Sequence, residues 1–206
     1  MRIAVIAANG RLGKVFVEAA LHAGHTVRAG IRGENNLTPH PNLEVITCDA
    51  TNLDDLRLLF QNQEAVVSAI GHVKDGAPDV QTLATKALVS AMNELHITRF
   101  VDVTGTGVRF PNDSITLIDR ILNLAVRIID RDRVKDGQDH QEVLKESDLD
   151  WTTIRILKLQ NVPEKAYTLT PHGPTKWYVG RNEVAQAMLE VLEKHSFIKQ
   201  APIISN

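Results

Sequence analysis

The chain has 206 residues, of which 43% are hydrophobic, and this is enough for one globular domain with a substantial core. Its 23 Lys and Arg residues nearly balance 25 Asp and Glu residues, and the net charge of −2 gives no electrostatic reason to expect nucleic acid or an anionic membrane as a partner. The single cysteine, Cys48, has no partner for an internal disulfide, and no apolar stretch approaches the roughly 20 residues of a membrane span. Because the N-terminal apolar run is also too short for a signal peptide, we expect a cytoplasmic protein.

Short apolar runs rich in Val and Ile alternate along the chain with longer segments of helical period. The runs predict strands at Ile3–Ala7, Thr26–Ile31, Leu43–Thr47, Ala65–Ile70, Arg99–Val103 and Trp151–Ile156. The other segments predict helices at Gly10–Ala23, Asn52–Phe60, Asp79–Leu95, Asp113–Ile129, Gln138–Ser147 and Arg181–Lys194. Strands that are apolar throughout are typical of a sheet covered by helices on both faces. The pattern therefore predicts an α/β fold, a single Rossmann-type domain over residues 1–206 with a doubly wound parallel sheet.

The first predicted strand runs directly into the turn Ala7–Gly13, which opens a helix. A bound diphosphate needs backbone N–H groups at a helix N-terminus and room for the backbone to approach closely. Within the turn, Asn9 to Leu12 are the predicted phosphate contacts, Gly10 leaves room for the ligand, and Gly13 allows the helix to pack against the strand. Alanine stands at position 7, where a G-x-x-G-x-x-G loop has its first glycine, so the prediction depends on the strand before the turn and the helix after it. The alternative is a plain strand–turn–helix joint without a ligand.

The second predicted strand is followed directly by Arg32. In NAD-selective folds this position carries an acidic residue that holds the ribose hydroxyls. A guanidinium would instead pair with a 2′-phosphate, and Arg11 in the turn is close enough in the pattern to assist. The sequence thus favours NADP(H) over NAD(H), with a solvated surface charge as the other interpretation of Arg32.

Two further strand ends carry candidate cofactor contacts. Asp49, followed by Ala50 after the third strand, is placed to accept a hydrogen bond from the adenine amino group, or to cap the next helix. Ala69 and Gly71 after the fourth strand are small residues where the backbone would pass under the cofactor, or they form a tight turn without contact.

Four segments carry a family resemblance: Ala7–Gly13, Val101–Gly107, Glu142–Arg155 and Gly180–Ala185. Together they resemble the atypical short-chain dehydrogenase/reductases, most closely the NmrA-like branch with NAD(P)H-flavin reductases and biliverdin-reductase-B-like proteins. The resemblance spans nearly the whole chain. It implies NADP(H) binding and, in the enzymatic members, hydride transfer to flavins or other planar acceptors. The implied cofactor contacts are Gly10, Arg11, Leu12, Gly13, Arg32, Asp49, Ala50, Ala69 and Gly71, with Leu157 and Lys158 near the nicotinamide.

The chain departs from the catalytic pattern of standard short-chain dehydrogenases. Those enzymes use Tyr-x-x-x-Lys, in which the lysine lowers the pKa of the tyrosine that donates or accepts the proton. Here the only tyrosines are Tyr167 and Tyr178, and neither is followed by lysine four residues later. Alcohol–ketone chemistry with a tyrosine base is therefore disfavoured. Hydride transfer to a conjugated acceptor needs less help, because the cofactor carries the chemistry and water can supply a proton.

Side chains near the predicted strand ends are the candidates for contact with an acceptor. Thr104 and Thr106 are the best-placed hydroxyls, although each could instead bond to its own backbone. His140 and Lys158 are weaker candidates for proton donation or charge stabilisation, as is His72.

The sequence thus predicts an NADP(H)-dependent oxidoreductase that reduces a small planar acceptor, such as FMN, FAD or a quinone. The alternative is a non-catalytic NADP(H)-binding redox sensor or regulator, and an isomerase or epimerase would need a base that the sequence does not identify. The predicted helix Asp113–Ile129 is apolar on more than one face, so it packs in the core, covers the active site or contacts a second copy. Monomer and homodimer both remain open. The Trp177–Tyr178 pair is a second candidate wall for an acceptor pocket, and no metal site is expected.

Overall fold

The computed structural model describes residues 1–72, 76–114, 131–173 and 178–206. The strands are β1 (Arg2–Ile6), β2 (Thr26–Ile31), β3 (Leu43–Thr47), β4 (Ala65–Ser68), β5 (Arg99–Gly105), β6 (Asp150–Ile156), β7 (Leu159–Gln160), β8 (Thr168–Thr170), β9 (Val179–Gly180) and β10 (Ile203–Ser205). The helices within these ranges are α1 (Arg11–His22), α2 (Leu53–Phe60), α3 (Val80–Glu94), α4 (Arg131–Glu146) and α5 (Arg181–Glu193).

The main sheet has eight strands in the order β3-β2-β1-β4-β5-β6-β10-β8. All neighbouring pairs in it are parallel except β8, which runs antiparallel to β10 at the edge. Strands β7 and β9 form a separate parallel pair. The chain builds outward from β1 to β3 and then returns to place β4 on the other side of β1. This reversal leaves a crevice at the carboxyl ends of β1 and β4, where open α/β sheets bind their ligands.

Helices cover both faces of the sheet, which explains why consecutive positions of β1 and β4 are apolar. Along β1, Ile3 and Val5 belong to one core cluster with α1 and α5, whereas Ala4 and Ile6 belong to the opposite cluster with α2, α3 and α4. Successive side chains of a strand point to opposite faces, so both sets must be apolar. The predicted doubly wound α/β fold is confirmed.

Most predicted elements appear with small changes at their ends. Strand β1 stops at Ile6 because Ala7 has a φ of 56°, outside the extended region. Helix α2 begins where predicted, since the side chain of Asn52 accepts hydrogen bonds from the backbone of Asp54 and Asp55. The short strands β7 to β10 were not predicted, because runs of two or three residues give no periodic signal.

The alternating charges of residues 130–136 predict a solvated helix end with local ion pairs, and helix α4 itself was predicted to begin at Gln138; this start was wrong. The helix begins at Arg131 and already buries Val134 and Asp136 in its first turns. The expected local ion pairing does occur, since Lys135 pairs with Asp139 one turn later. Most of the predicted helix Asp113–Ile129 lies outside the described residues.

One buried arginine ties strand β6 to two loops. Arg155 is fully buried and pairs through both terminal nitrogens with Asp113, at 2.6 and 2.8 Å. The same guanidinium donates to the backbone carbonyls of Ala201 and Pro171. A bidentate pair of this kind fixes position as well as charge, so the loop after β5 is anchored firmly to β6.

Candidate functional site

A cleft of about 680 Å³ lies at the carboxyl ends of β1, β4, β5 and β6. The segments that follow these four strands supply most of its wall, and the starts of α4 and α5 complete it. Its lining includes Ala7, Gly10, Arg11, Leu12, Ala69, Ile70, Gly71, His72, Gln81, Thr104, Val108, Arg133, Val134, Ile156, Leu157, Lys158, Leu159 and Arg181. Among the described residues that line it, four are cationic and none carries a carboxylate.

The turn after β1 presents backbone N–H groups to this cleft. Ala7 adopts a left-handed conformation, and the N–H of Gly10 donates to the carbonyl of Ala7 at 2.9 Å. The N–H of Lys14 donates to the carbonyl of Gly10 at 3.0 Å, which is the first hydrogen bond within α1. The N–H groups of Arg11 and Leu12 lie earlier in the helix than this first hydrogen bond, so they have no partner within α1 and are free to bind an anion.

Two glycines allow the close packing of this turn. A Cβ atom on Gly13 would lie 2.3 Å from the carbonyl oxygen of Ala7 and 2.8 Å from the Cα of Ala8, so no side chain fits there. A Cβ atom on Gly10 would lie 3.1 Å from the same oxygen, and Gly10 itself is exposed. The open glycine surface beside a helix N-terminus therefore fits the diphosphate of a dinucleotide.

Asn9 connects the turn to the segment that follows β2. Its side-chain amide donates to the carbonyl of Glu34, and its oxygen accepts a hydrogen bond from the N–H of Asn36 at 3.3 Å. The backbone N–H of Ala8 also donates to the carbonyl of Gly30 within β2, at 3.1 Å. These bonds hold the end of β2, and with it the start of the following loop, beside the turn.

Arg32 lies exposed at this end of β2, near Asp49 after β3. Hydrogen bonds from Thr51 lower the pKa of Asp49, and the charge of Arg32 lowers it further. Asp49 is therefore ionised at neutral pH. Neither Arg32 nor Asp49 lines the enclosed cleft; both lie at the neighbouring strand ends.

Two of the guanidinium groups that line the cleft belong to Arg11 and Arg181. Arg11 begins α1 and Arg181 begins α5, where it donates a hydrogen bond to the side-chain oxygen of Asn161. Burial lowers the pKa of Arg181, and the nearby charge of Arg11 lowers it further. Two cations that repel each other in this way gain stability when an anion lies between them.

Thr104 ends the buried part of β5 and lines the cleft. Its hydroxyl is buried and has no hydrogen-bond partner among the described residues. Gly137 of α4 packs against it, since a Cβ atom on that glycine would lie 3.1 Å from the Thr104 hydroxyl and 2.9 Å from Val108. Thr106 has a similarly unpartnered hydroxyl within the described chain, but it is 1% exposed and does not line the cleft.

His140 lies away from the cleft, in a buried polar cluster between α4 and the sheet. Its Nε2 is 3.1 Å from the carboxylate of Asp102 and 3.0 Å from the side-chain amide of Gln141, which donates to Thr153 at 2.8 Å. A proton donor must reach its acceptor directly or through one water molecule. The position of His140 gives no support to its predicted role in proton donation.

His72, which lines the cleft, also contacts a buried carboxylate behind the lining, and sequence reasoning missed this contact. The Nε2 of His72 lies 2.9 Å from the carboxylate of Asp136 and 3.1 Å from the carbonyl of Pro78. The same carboxylate accepts the backbone N–H groups of Gln81 and Thr82 at the start of α3. Burial alone would raise the pKa of Asp136, but the hydrogen bonds from His72, Thr82 and Gln81 outweigh it and lower that pKa to about 2.

The structure brings some predicted residues into one cleft and leaves others outside it. Those that line the cleft are Gly10, Arg11, Leu12, Ala69, Gly71, His72, Thr104, Leu157 and Lys158. Those outside its lining are Asn9, Gly13, Arg32, Asp49 and Ala50, near the ends of β1 to β3, and the buried Thr106 and His140. Sequence reasoning did not single out Gln81, Gly137 or Arg181 for the site, although Arg181 lies within one of the resembling segments.

The side chains of both tyrosines contact residues outside the cleft lining. The hydroxyl of Tyr167 donates to Glu190 at 2.7 Å, and the ring of Tyr178 contacts the ammonium of Lys165. Neither tyrosine lines the cleft. Trp177, predicted together with Tyr178 as a candidate wall of an acceptor pocket, lies outside the described residues.

Two comparisons of the sequence with known proteins found matches. A family model described as NAD(P)H-binding matches residues 7–195. Protein TIC 62 of Arabidopsis thaliana chloroplasts is 26% identical over 128 residues, which cover 50% of this chain and 20% of that protein. The match therefore spans only about a fifth of that relative.

Solved structures resemble the chain over nearly its whole length. A short-chain dehydrogenase/reductase of Veillonella parvula in complex with NADP is 22% identical, with a TM-score of 0.82 and coverage of 100% of this chain and 94% of the other. A protein of Streptococcus pneumoniae described as a putative NADH-flavin reductase is 26% identical, with a TM-score of 0.74 and coverage of 99% and 98%. Among the described helices, none has the length and apolarity needed to cross a membrane.

Proposed function

Because the chain belongs to a family of NAD(P)H-binding proteins, we propose that it is an NADP(H)-dependent oxidoreductase that passes hydride to a flavin, quinone or similar planar acceptor. One observation carries this proposal: a single cleft joins the glycine turn and cationic groups to an apolar wall that includes Thr104, whose buried hydroxyl has no partner among the described residues. The turn and the cations suit the diphosphate of the cofactor, and the apolar wall suits a planar ring. Both substrates of a hydride transfer would thus meet in one place.

The diphosphate would be held by the turn and by the guanidiniums of Arg11 and Arg181. The free N–H groups of Arg11 and Leu12 point out of the N-terminus of α1, whose dipole favours an anion. The mutual repulsion of Arg11 and Arg181 adds to this preference, since a bound diphosphate would neutralise both. Gly13 supports the same site indirectly, because it keeps α1 pressed against the turn.

The preference for NADP(H) rests on Arg32. The nearby carboxylate of Asp49 competes only weakly with a ligand for Arg32. An ion pair that involves so exposed a group contributes only about 0–1 kcal/mol of stability. A charge-assisted hydrogen bond to a 2′-phosphate contributes roughly 1.5–3 kcal/mol. Asn9 supports the preference by holding the loop after β2 beside the phosphate turn.

The acceptor would lie against the apolar side of the cleft. Val108, Val134 and Leu157 line that side, and a flat conjugated ring buries its faces well against such side chains. When bound, the nicotinamide supplies the hydride. The hydroxyl of Thr104, which has no partner in the described part of the chain, would donate a hydrogen bond to a carbonyl or ring nitrogen of the acceptor.

The surroundings of Thr104 favour an acceptor that is already electrophilic. Gly137 occupies the face of α4 that packs on this threonine, so the helix offers no side chain there to deprotonate an alcohol. Flavins and quinones accept hydride into a conjugated system and need no such base. This favours them over simple ketones and alcohols.

Two variants test the proposal directly. Thr104→Val removes the hydroxyl at the cleft with little change of shape, whereas Thr106→Val removes a buried hydroxyl outside the lining. In stopped-flow assays with NADPH and FMN, FAD or a soluble quinone, we expect the first variant to slow turnover and the second to match the wild type. Tight NADPH binding without turnover of any of these acceptors would contradict the proposal and support a non-catalytic sensor instead.

A further inference from the structure

His72 is held in the cleft in a single orientation. Both of the groups that its Nε2 contacts, the carboxylate of Asp136 and the carbonyl of Pro78, are hydrogen-bond acceptors. The Nε2 must therefore carry the proton that is shared with them. The described residues form no hydrogen bond with Nδ1, which leaves that nitrogen available to a ligand. The His72 side chain is 10% exposed, and its ring belongs to the cleft lining.

Asp136 is itself fixed and negatively charged. Its side chain is only 1% exposed, and it receives the N–H groups of Gln81 and Thr82 at the positive N-terminus of α3. These bonds keep the carboxylate ionised at neutral pH, so it does not take the proton of His72. A carboxylate in this position orients the ring and stabilises its doubly protonated form.

The same turn of α4 connects His72 with the proposed acceptor contact. Asp136 binds His72, and the next residue, Gly137, packs against the hydroxyl of Thr104. Both Thr104 and His72 therefore line the same cleft, and each of them lies against this turn of α4. An acceptor bonded to Thr104 would lie within the space that His72 borders.

We propose that His72 donates the proton that completes reduction of the acceptor, with Asp136 as its positioning residue; this rests on the function proposed above. As hydride reaches the acceptor, the bond between Nδ1 and its proton breaks, and the proton passes to the oxygen or nitrogen atom that gains negative charge. The two electrons come from NADPH, which is oxidised to NADP⁺. The neutral ring then takes a proton from water, so each cycle consumes one NADPH and one proton per acceptor reduced.

The charges around the ring set its pH response. Asp136 touches the ring from α4, and Arg133 of the same helix lines the cleft. Asp79 at the start of α3 follows Pro78, and its charge and that of Asp136 both act on Lys135. Among the charged groups of the described residues, the carboxylate of Asp136 is the one seen in direct contact with the ring. The proposal requires the rate to fall as the pH rises, since the proton to be donated is then lost.

The test compares His72→Gln with His22→Gln, which changes an exposed histidine on α1 outside the cleft. We expect His72→Gln to lower kcat with a soluble quinone or FMN roughly tenfold or more, and to leave the Kd of NADPH unchanged. The wild-type kcat/KM should fall at an inflection as the pH rises, because kcat/KM reports the essential acid of the free enzyme. The variant should lose that inflection, and His22→Gln should retain it.

A nitrogen NMR measurement on the wild-type protein does not depend on how well a variant folds. It should show the neutral His72 ring with its proton on Nε2, and a proton on Nδ1 instead would overturn the proposal. A His72→Gln protein with wild-type kcat and an unchanged inflection would also overturn it, while leaving the proposed function intact. A wild-type protein that binds NADPH but reduces no flavin or quinone would refute the function itself, and the role of His72 with it.

Discussion

Replacement of Gly13 by alanine tests how closely α1 must approach the phosphate turn. The new Cβ atom would meet three backbone atoms of Ala7 and Ala8 at 2.3, 2.8 and 2.9 Å. Because backbone atoms cannot rotate away, the helix must retreat by roughly 1 Å to restore ordinary contact. Alanine gains at most about 1 kcal/mol in helix propensity, whereas overpacking of this kind costs about 1–3 kcal/mol. With three close contacts we expect the upper end of that cost, and a net loss of about 2 kcal/mol.

Urea denaturation gives the change in stability, and fluorescence titration gives the affinity for NADPH. Since the N–H groups of Arg11 and Leu12 move with the helix, we expect the Kd of NADPH to rise about tenfold. Gly105→Ala is the stability control, because a Cβ atom there finds its nearest neighbour at 3.9 Å. A Gly13→Ala protein as stable as the wild type, with unchanged affinity, would refute the close packing of helix and turn.

Three further predictions follow from single residues. Ala7→Gly should raise the free energy of unfolding by about 0.5–1 kcal/mol in urea denaturation, because glycine adopts the φ of 56° without strain; a loss of stability would contradict this. Arg32→Gln should weaken NADPH binding roughly tenfold or more and leave NADH binding unchanged, as measured by parallel titrations; equal effects on both cofactors would remove Arg32 from the 2′-phosphate site. The pKa of Asp136 falls from 3.8 to about 2 on folding, so its contribution of roughly 2 kcal/mol is present above about pH 4 and lost as the pH falls toward 2. In urea denaturation at a series of pH values, Asp136→Asn should lose most of this fall in the free energy of unfolding between about pH 4 and pH 2. A variant whose free energy of unfolding falls as steeply as that of the wild type would argue against the ionised carboxylate.

The sequence predicts the layout of the sheet well, because its strands are buried on both faces. Residues 3–6 and 65–67 are apolar on consecutive positions, and such runs between helical segments leave few alternative arrangements. The start of α4 was missed for the opposite reason. Its first residues, 131–133, are charged and exposed, so the turns that bury Val134 and Asp136 have no apolar period to identify them.

The cofactor side of the site was easier to predict than the acceptor side. Gly10 and Arg11 follow a strand directly, so their place beside the cleft is a local consequence of the chain. The contact between His72 and Asp136 joins two distant segments, and a single sequence contains no signal for it. For His140, the sequence places the residue on the right helix but does not reveal that its side chain lies against Asp102.

The most direct test of the central proposal is a single-turnover measurement. The protein is loaded with NADPH, mixed anaerobically with FMN or a soluble quinone, and followed by the loss of reduced nicotinamide absorbance. We predict rapid oxidation of the bound NADPH, with slower or weaker reaction when NADH replaces it. Bound NADPH that persists in the presence of every flavin and quinone tried would contradict the account.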